Sequence, residues 1–238
     1  APTTLVLGNI GVVQARSMST DEVTALVREV GADALCIHLN PAMEVVQPEG
    51  DRDFRGGLDT IARYVRDLPV PVVVKETGCG ISRHVAKRLA SVGVRHIDVS
   101  GAGGTSWVAV EAKRAESIND VAAHKLGEAF WDWGIPTAAS VGALAPLSLD
   151  TLIATGGVSS GLDVARAIAL GATACGIARP ALKALTSGGR AGAVDFLKSV
   201  ETELRTVMLL TGSQNVRALR RAPRVLGSEL KAWLDAQG

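Results

Sequence analysis

The chain is short of aromatic residues, of cysteine and of an excess of either charge, and each shortage excludes a class of protein. Only 3% of the 238 residues are aromatic, so the core must be built mainly from Ala, Val, Leu and Ile. Three cysteines without a CxxC pair exclude a disulfide scaffold and predict reduced thiols in a cytoplasmic protein. The 25 basic residues nearly balance the 24 acidic ones, which argues against nucleic-acid binding and a polybasic membrane patch.

The sequence also lacks the long apolar segments that lead proteins into or across membranes. It has no uncharged apolar run of about 18 residues, which a membrane span needs, and no opening segment typical of a signal peptide. It begins Ala-Pro-Thr-Thr without Met and enters a strand-like run almost at once, so we expect a missing or trimmed N-terminus. With 47% hydrophobic and 21% charged residues, the composition predicts one folded domain over residues 1–238.

Short apolar runs rich in β-branched residues alternate with amphipathic stretches along the whole chain. Six runs are predicted as strands, namely residues 4–11, 34–39, 70–77, 96–100, 151–155 and 174–178. Residues 135–140 form a seventh candidate strand. Continuous apolar strands are typical of a parallel sheet that is covered on both faces. The strand spacing therefore favours either a (β/α)8 barrel or a doubly wound sheet.

Helices are predicted between these strands by apolar residues at i, i+3, i+4 and i+7. The clearest cover residues 21–30, 84–92 and 163–170, and each is followed by a glycine that can end a helix. Ser19 or Thr20 is the predicted N-cap of the first. The last third of the chain is helical, with its longest periodic stretch over residues 193–210 and a final helix near residues 230–234.

Polar residues cluster just after the predicted strands, at the edge where parallel α/β folds bind ligands. The second strand ends in His38 and Asn40, with Glu44 and Gln47 close behind, and this set could hold a diphosphate and a divalent cation. The third strand ends in Lys75, whose cation could stabilise a negative charge. Two glycine turns near the end of the chain, 156–157 and 176–179, predict backbone donors and two helix N-termini around a phosphate.

Each of these residues also has an ordinary structural interpretation that the sequence leaves open. His38 could be a core histidine with satisfied hydrogen bonds, and Lys75 could pair with Glu76. The turn around Asn9 could be a simple strand-to-loop turn. Cys79 lies in a glycine turn, where a thiol could be exposed and reactive.

The strings HLNPxxE…QPEGDRDF, VVVKETG, SGAGGTSW, ATGG and GIARP occur here in that order, and together they resemble the type 2 isopentenyl-diphosphate isomerases. The resemblance runs over essentially the whole chain. It implies an FMN-dependent (β/α)8 TIM barrel of which about six of the eight strands are present, and it implies that residues 135–140 begin a helix. The implied reaction converts isopentenyl diphosphate to dimethylallyl diphosphate in isoprenoid biosynthesis, with FMN, Mg²⁺ and NADPH, the last only as the reductant of the flavin. We also expect a cytoplasmic homo-oligomer.

The resemblance also implies a role for each matching residue. His38, Asn40 and Gln47 would bind the diphosphate substrate, Glu44 would bind Mg²⁺, and Lys75 and His38 would be catalytic. The cofactor would be held by Asn9, Lys75, Ser100, Thr105, Gly156, Gly157, Ala178 and Arg179.

Two positions depart from the family pattern. Met43 replaces a glutamine beside the reacting alkene, and Val158-Ser159 follows the Gly156-Gly157 pair where the family has Ile-Arg. A thioether offers no strong hydrogen bond. A catalytically impaired or divergent FMN-binding barrel is therefore the alternative function. A hydroxy-acid oxidase is disfavoured because its His-Gly-Gly-Arg element is absent, and an inosine-monophosphate-dehydrogenase-like reaction would require Cys79 as the nucleophile.

Overall fold

The computed structural model describes residues 3–237, which form one six-stranded parallel sheet with helices between its strands. The strands are β1 (Leu7–Gly11), β2 (Ala34–His38), β3 (Val72–Lys75), β4 (His96–Asp98), β5 (Thr151–Ala154) and β6 (Ala174–Cys175). Each strand pairs only with its neighbours in sequence, in the order β1-β2-β3-β4-β5-β6. A doubly wound sheet would reverse its strand order at a switch point. The unbroken order confirms the barrel prediction, with six of the eight strands.

Twelve helices accompany the strands within the described residues. They are α1 (Val12–Ser17), α2 (Thr20–Glu29), α3 (Pro41–Val46), α4 (Gly57–Asp67), α5 (Arg83–Ser91), α6 (Trp107–Ser117), α7 (Val121–Ala129), α8 (Thr137–Leu144), α9 (Gly161–Leu170), α10 (Arg179–Leu210), α11 (Val216–Leu219) and α12 (Ser228–Ala236). Between residues 3 and 237, no helix is both long and apolar enough to cross a membrane.

The central strands β2 and β3 are buried on both faces, as their continuous apolar sequences predict. One face, carrying Leu35, Ile37, Val74 and Ile97, packs against the helices in the main core. The opposite face forms a much smaller cluster of Ala34, Cys36 and Val73, against which Ile153 packs. This second face is the inner face of the barrel, and the side chains at its carboxyl edge form the candidate site.

Local signals at the helix ends are confirmed. Ser19 caps α2 through a complete capping box, in which its side chain accepts from the Glu22 amide and Glu22 bonds back to the Ser19 amide. The glycines after α2, α5 and α9 all have positive φ, at 62° for Gly31, 92° for Gly93 and 124° for Gly171. Since only glycine adopts such angles without strain, these residues turn the chain out of each helix and into the next strand.

Three predictions of secondary structure need correction. Residues 135–140 are not a strand, because helix α8 begins at Thr137 after Pro136, as the family resemblance implied. The long helix α10 begins at Arg179, within the helical last third that the sequence predicts, but it has a break that was not predicted, because the non-helical Gly189 kinks it. The observed strands are also shorter than predicted; β1 and β3 begin later, and β2 to β6 end earlier than their predicted ranges.

Candidate active site

The last residues of three neighbouring strands bring three titratable side chains into one row. The strand register pairs Gly11 with His38, His38 with Lys75, and Lys75 with Asp98. Paired residues of a parallel sheet point to the same face. The imidazole, the ammonium and the carboxylate therefore lie side by side at the carboxyl edge of the inner face, where parallel α/β folds bind their ligands.

His38 is held by Asn9 of the neighbouring strand. Its Nδ1 and the Asn9 Oδ1 are 3.3 Å apart, within hydrogen-bonding distance. Gly11 lies beside the other ring nitrogen, because a Cβ at this position would be 3.1 Å from His38 Nε2. Partial burial lowers the pKa of His38, the Lys75 ammonium lowers it further, and the Glu44 carboxylate partly opposes both. The imidazole is therefore neutral at neutral pH.

We predict that the imidazole of His38 titrates with a midpoint below the ordinary value of about 6.5. Because the folded-state pKa is the lower one, the unfolded chain binds more protons between the two pKa values. The contribution of His38 to the free energy of unfolding is thus complete above about pH 6.5 and is lost as the pH falls toward the folded-state pKa. An NMR titration of the ring protons checks this, and a midpoint above 6.5 would contradict the geometry.

Asn40 and Glu44 form a rigid pair just beyond β2. Asn40 is 3% exposed and has a left-handed backbone, with φ 38°, at the start of α3. Its Nδ2 donates to Glu44 Oε1 at 2.7 Å, while the Asp51 amide donates to Glu44 Oε2 at 2.9 Å. Both carboxylate oxygens are thereby fixed in place, and each keeps a lone pair for a further partner.

Glu44 is the predicted Mg²⁺ ligand. No group of three or more His, Cys, Asp or Glu residues that could hold a metal ion occurs in the part of the chain that the structure describes. Mg²⁺ usually keeps several waters and takes one or two carboxylates plus phosphate oxygens. A single carboxylate at this position therefore suits an ion that arrives with a phosphorylated ligand.

Lys75 lies between two buried carboxyl groups. Its Nζ donates to the backbone oxygen of Glu76 at 2.6 Å, so the predicted alternative of a pair with the Glu76 carboxylate is not what forms. That carboxylate instead accepts from the amides of Thr77 and Cys79. Burial raises the pKa of both Glu76 and Asp98, while the Lys75 ammonium acts to lower both. Lys75 is thus a half-buried cation at the centre of the row.

The turn after β4, with Gly103 and Gly104, and the turn after β5, with Gly156 and Gly157, approach each other at the same edge. Gly104 and Gly157 nearly touch, since a Cβ on Gly104 would lie 2.7 Å from the Gly157 nitrogen. Gly156 and Gly157 have φ of 100° and 82°, which other residues rarely adopt. Among residues 3–237, no acceptor is found for the amides of Gly103, Gly104, Gly156 or Gly157. The two turns therefore present open backbone donors, the arrangement that binds anions.

Only one of the two helix N-termini predicted for the phosphate has open donors. At the start of α9, the Gly161 amide donates to Glu203 at 2.7 Å and the Asp163 amide donates to Ser160. The expectation of two open helix ends is therefore wrong, because a carboxylate of α10 already occupies the first. The N-terminus of α10 has no side-chain cap at Ala178 and remains available, with Arg179 exposed beside it.

The remaining predicted residues fall in three places. Ser100, with φ 35°, and the exposed Thr105 lie in the turn that follows β4. Met43 lines a narrow cleft with Asn40, Glu76, Cys79 and Trp107. Gln47 lies in a different cleft, against Glu111 and Arg114 of α6. The structure therefore groups Met43 with Asn40 and separates Gln47 from that cleft.

Cys79 has none of the features of a nucleophile. The thiol is partly buried, and burial together with the neighbouring Glu76 raises its pKa to about 11. Since the thiolate is the reactive form, Cys79 is protonated and inert at neutral pH. The alternative that used Cys79 for covalent chemistry is not supported.

The sequence prediction missed two residues that connect the site. Asp98 accepts from the Thr155 hydroxyl at 2.6 Å, and the Thr137 hydroxyl lies 2.6 Å from the Gly156 oxygen. Asp98 had a usable signal, because it ends a buried strand as Lys75 does. Thr137 had none, since its contacts depend on bringing α8 against the turn after β5.

Comparisons with known proteins agree with this geometry. The model of the FMN-dependent dehydrogenase family matches residues 31–225. The isopentenyl-diphosphate delta-isomerase of Methanosarcina barkeri is 45% identical over 238 residues, all of this chain and 64% of the relative. The enzymes of that name from Methanothermobacter thermautotrophicus and Pyrococcus abyssi are 43% and 40% identical, over 100% and 98% of this chain and 65% and 64% of theirs. The chain thus spans less than two thirds of the length of these relatives.

Among solved structures, a mandelate oxidase mutant with the monooxide FMN adduct superposes with a TM-score of 0.66 at 19% identity, over 94% of this chain and 64% of that one. Mandelate oxidase with benzoyl-formic acid gives a TM-score of 0.60 at 22% identity, over 88% of this chain and 61% of the other. These similarities establish the fold, a partial TIM barrel.

Proposed function

This chain belongs to the FMN-dependent dehydrogenase family, and from that membership we propose that it isomerises isopentenyl diphosphate to dimethylallyl diphosphate in isoprenoid biosynthesis. The observation that carries the proposal is 40–45% identity, over all or nearly all of this chain, to enzymes named for that reaction. Because the chain spans only part of their length, the activity is proposed for the longest polypeptide that its gene encodes.

The glycine residues of the turns after β4 and β5 fit the phosphate of FMN. A side chain at Gly104 or Gly156 would collide with the backbone of the neighbouring turn, so the two turns pack closely only as glycines, and the amides of Gly103, Gly104, Gly156 and Gly157 have no acceptor among the described residues. The open N-terminus of α10, with Ala178 and Arg179, adds a positive helix end. We therefore assign the phosphate of FMN to Gly156, Gly157, Ala178 and Arg179.

The ring and the ribityl chain of the cofactor are assigned to residues of the inner face, namely Asn9, Lys75, Ser100 and Thr105. When bound and reduced, FMN would supply electrons to assist the proton transfers with no net redox change, and NADPH is proposed only as its reductant. Lys75 places a fixed cation where negative charge would otherwise be costly in a partly buried site. His38, oriented by Asn9, is the candidate group for holding the substrate; because its Nδ1–H donates to Asn9 Oδ1, it would donate to the diphosphate only when Nε2 also carries a proton.

The substrate diphosphate is assigned to His38 and Asn40, with Mg²⁺ on Glu44. In the reaction, the terminal methylene carbon of the alkene gains one proton, and the methylene between the alkene and the diphosphate-bearing carbon loses another, so the double bond moves by one position and the formula is unchanged. The contact predicted for Gln47 stays a prediction, as do the homo-oligomer and the cytoplasmic location.

The experiment that tests this function is an isomerase assay. The purified polypeptide is incubated with isopentenyl diphosphate, Mg²⁺ and chemically reduced FMN, and dimethylallyl diphosphate is measured by NMR. We expect product only when all components are present. A protein that binds FMN but forms no product would support the alternative of a catalytically silent flavin barrel.

For the metal, we predict that Glu44→Gln weakens Mg²⁺-dependent substrate binding about tenfold, because it removes a charge at an oxygen-rich position and disturbs one of its two hydrogen bonds. FMN affinity should not change. The measurement is the KM for the substrate over a Mg²⁺ titration, and Glu49→Gln, an exposed carboxylate nearby, is the control. An unaltered Mg²⁺ dependence would remove Glu44 from the metal site.

A further inference from the structure

Thr137, the first residue of α8, joins the two glycine turns of the candidate cofactor site. Its amide donates to the Ala102 oxygen at 3.1 Å, and the Ala102 amide donates back to the Ile135 oxygen at 2.9 Å. These backbone bonds fasten the start of α8 to the turn after β4. The side-chain hydroxyl then reaches the turn after β5, where Gly156 O lies at 2.6 Å and Thr155 O at 3.2 Å.

The Thr137 hydroxyl and the Gly101 amide together fix the direction of two successive peptide groups. In a trans peptide the C=O and the N–H point to opposite sides. The carbonyls of Thr155 and Gly156 both lie near the Thr137 hydroxyl, and Thr155 O also accepts from the Gly101 amide at 3.0 Å. The amides of Gly156 and Gly157 belong to the same two peptide groups, so both must point away from Thr137.

For the Gly156 carbonyl, the glycines themselves leave no other support for this orientation. With φ of 100° and 82°, Gly156 and Gly157 occupy a region that glycine enters freely and also leaves freely. A two-glycine turn without an anchor would sample many conformations, in which its amides no longer converge. Among residues 3–237, the Thr137 hydroxyl is the one side-chain group that donates to the carbonyls of Thr155 and Gly156.

We propose that Thr137 is a positioning residue whose hydroxyl holds the amides of Gly156 and Gly157 toward the FMN phosphate. The inference rests on the proposed function, because it assumes that the turn binds the phosphate of FMN. It assigns Thr137 no contact with the cofactor. The effect of Thr137 on cofactor affinity must therefore depend on the phosphate and not on the flavin ring.

The test compares FMN with riboflavin, which lacks the phosphate. Both dissociation constants are measured by flavin fluorescence for the wild-type polypeptide, Thr137→Val and Thr137→Ser. Valine keeps the shape and removes the donor, so FMN affinity should fall about tenfold while riboflavin affinity stays unchanged. Serine keeps the donor and should restore the wild-type ratio. Thr202→Val, which removes an exposed hydroxyl bonded to the Lys198 oxygen, is the control.

Each result decides the proposal. An unchanged ratio of the two affinities in Thr137→Val overturns the role of Thr137, including the case in which both affinities fall together. A serine variant as weak as the valine variant also overturns it, because the hydroxyl would then not be the cause. A wild-type polypeptide that does not prefer FMN over riboflavin instead overturns the phosphate site of the proposed function, and the role of Thr137 falls with it.

Discussion

Replacing Lys75 with alanine is expected to slow turnover about 10²–10³-fold, the usual cost of losing one preorganised group that stabilises developing charge. Lys75 is the half-buried cation of the row, and it lies between the buried carboxyl groups of Glu76 and Asp98. Without it, negative charge on a reduced cofactor would meet two carboxyls and no compensating ammonium. The reduction potential of the bound flavin should therefore fall as well.

One further observation separates this role from a structural one. The Lys75 ammonium helps to lower the pKa of His38, so Lys75→Ala should raise the His38 titration midpoint toward its ordinary value. The control is Lys87→Ala, an exposed lysine on α5. If turnover and flavin potential both stay near wild type, Lys75 is only a hydrogen-bond partner of the Glu76 backbone.

Replacing Met43 with glutamine is expected to raise isomerase activity by up to about 10²–10³-fold, because it adds a positioned polar group beside developing charge. Met43 lies on α3 and lines the same narrow cleft as Asn40 and Trp107. A thioether cannot donate a hydrogen bond and accepts only weak ones, whereas an amide both donates and accepts strong hydrogen bonds. The side chains have similar length, so the helix should accept the change.

The rates of wild type and Met43→Gln with reduced FMN check this prediction. Val45→Gln, an exposed neighbour on the same helix, is the control for a general effect of a new amide. If Met43→Gln is no faster than wild type, the cleft is built around an apolar contact. In that case the preferred substrate differs from the proposed one at this position.

The sequence predicted those parts of the fold that depend on neighbouring residues. The capping box of Ser19 and Glu22 and the glycines after α2, α5 and α9 are local signals with one physical solution each, and all are confirmed. Residues 135–140 lacked such a signal. A short apolar run is equally compatible with a strand or a buried helix, and the structure has a helix that begins at Thr137, directly after Pro136.

The sequence likewise predicted those site residues whose position follows from the strand ends. Polar residues at strand ends, such as His38, Asn40 and Lys75, could be expected at one edge because parallel strands end together. The contacts between distant segments could not be predicted from the sequence. Glu203 reaches the first amide of α9 across 42 residues, and Thr137 reaches Gly156 across 19. Both depend on how helices pack against the sheet, which no local pattern in the sequence records.

The most direct test of the central claim follows the proton and the flavin together in ²H₂O. Isopentenyl diphosphate, Mg²⁺ and a known amount of reduced FMN are incubated anaerobically with the longest polypeptide that the gene encodes, for many turnovers. An isomerase should release dimethylallyl diphosphate that has gained deuterium at its new methyl group, while the flavin remains fully reduced. Oxidation of the flavin in proportion to product, or a yellow protein that leaves the substrate unlabelled and unchanged, would contradict the proposed isomerisation.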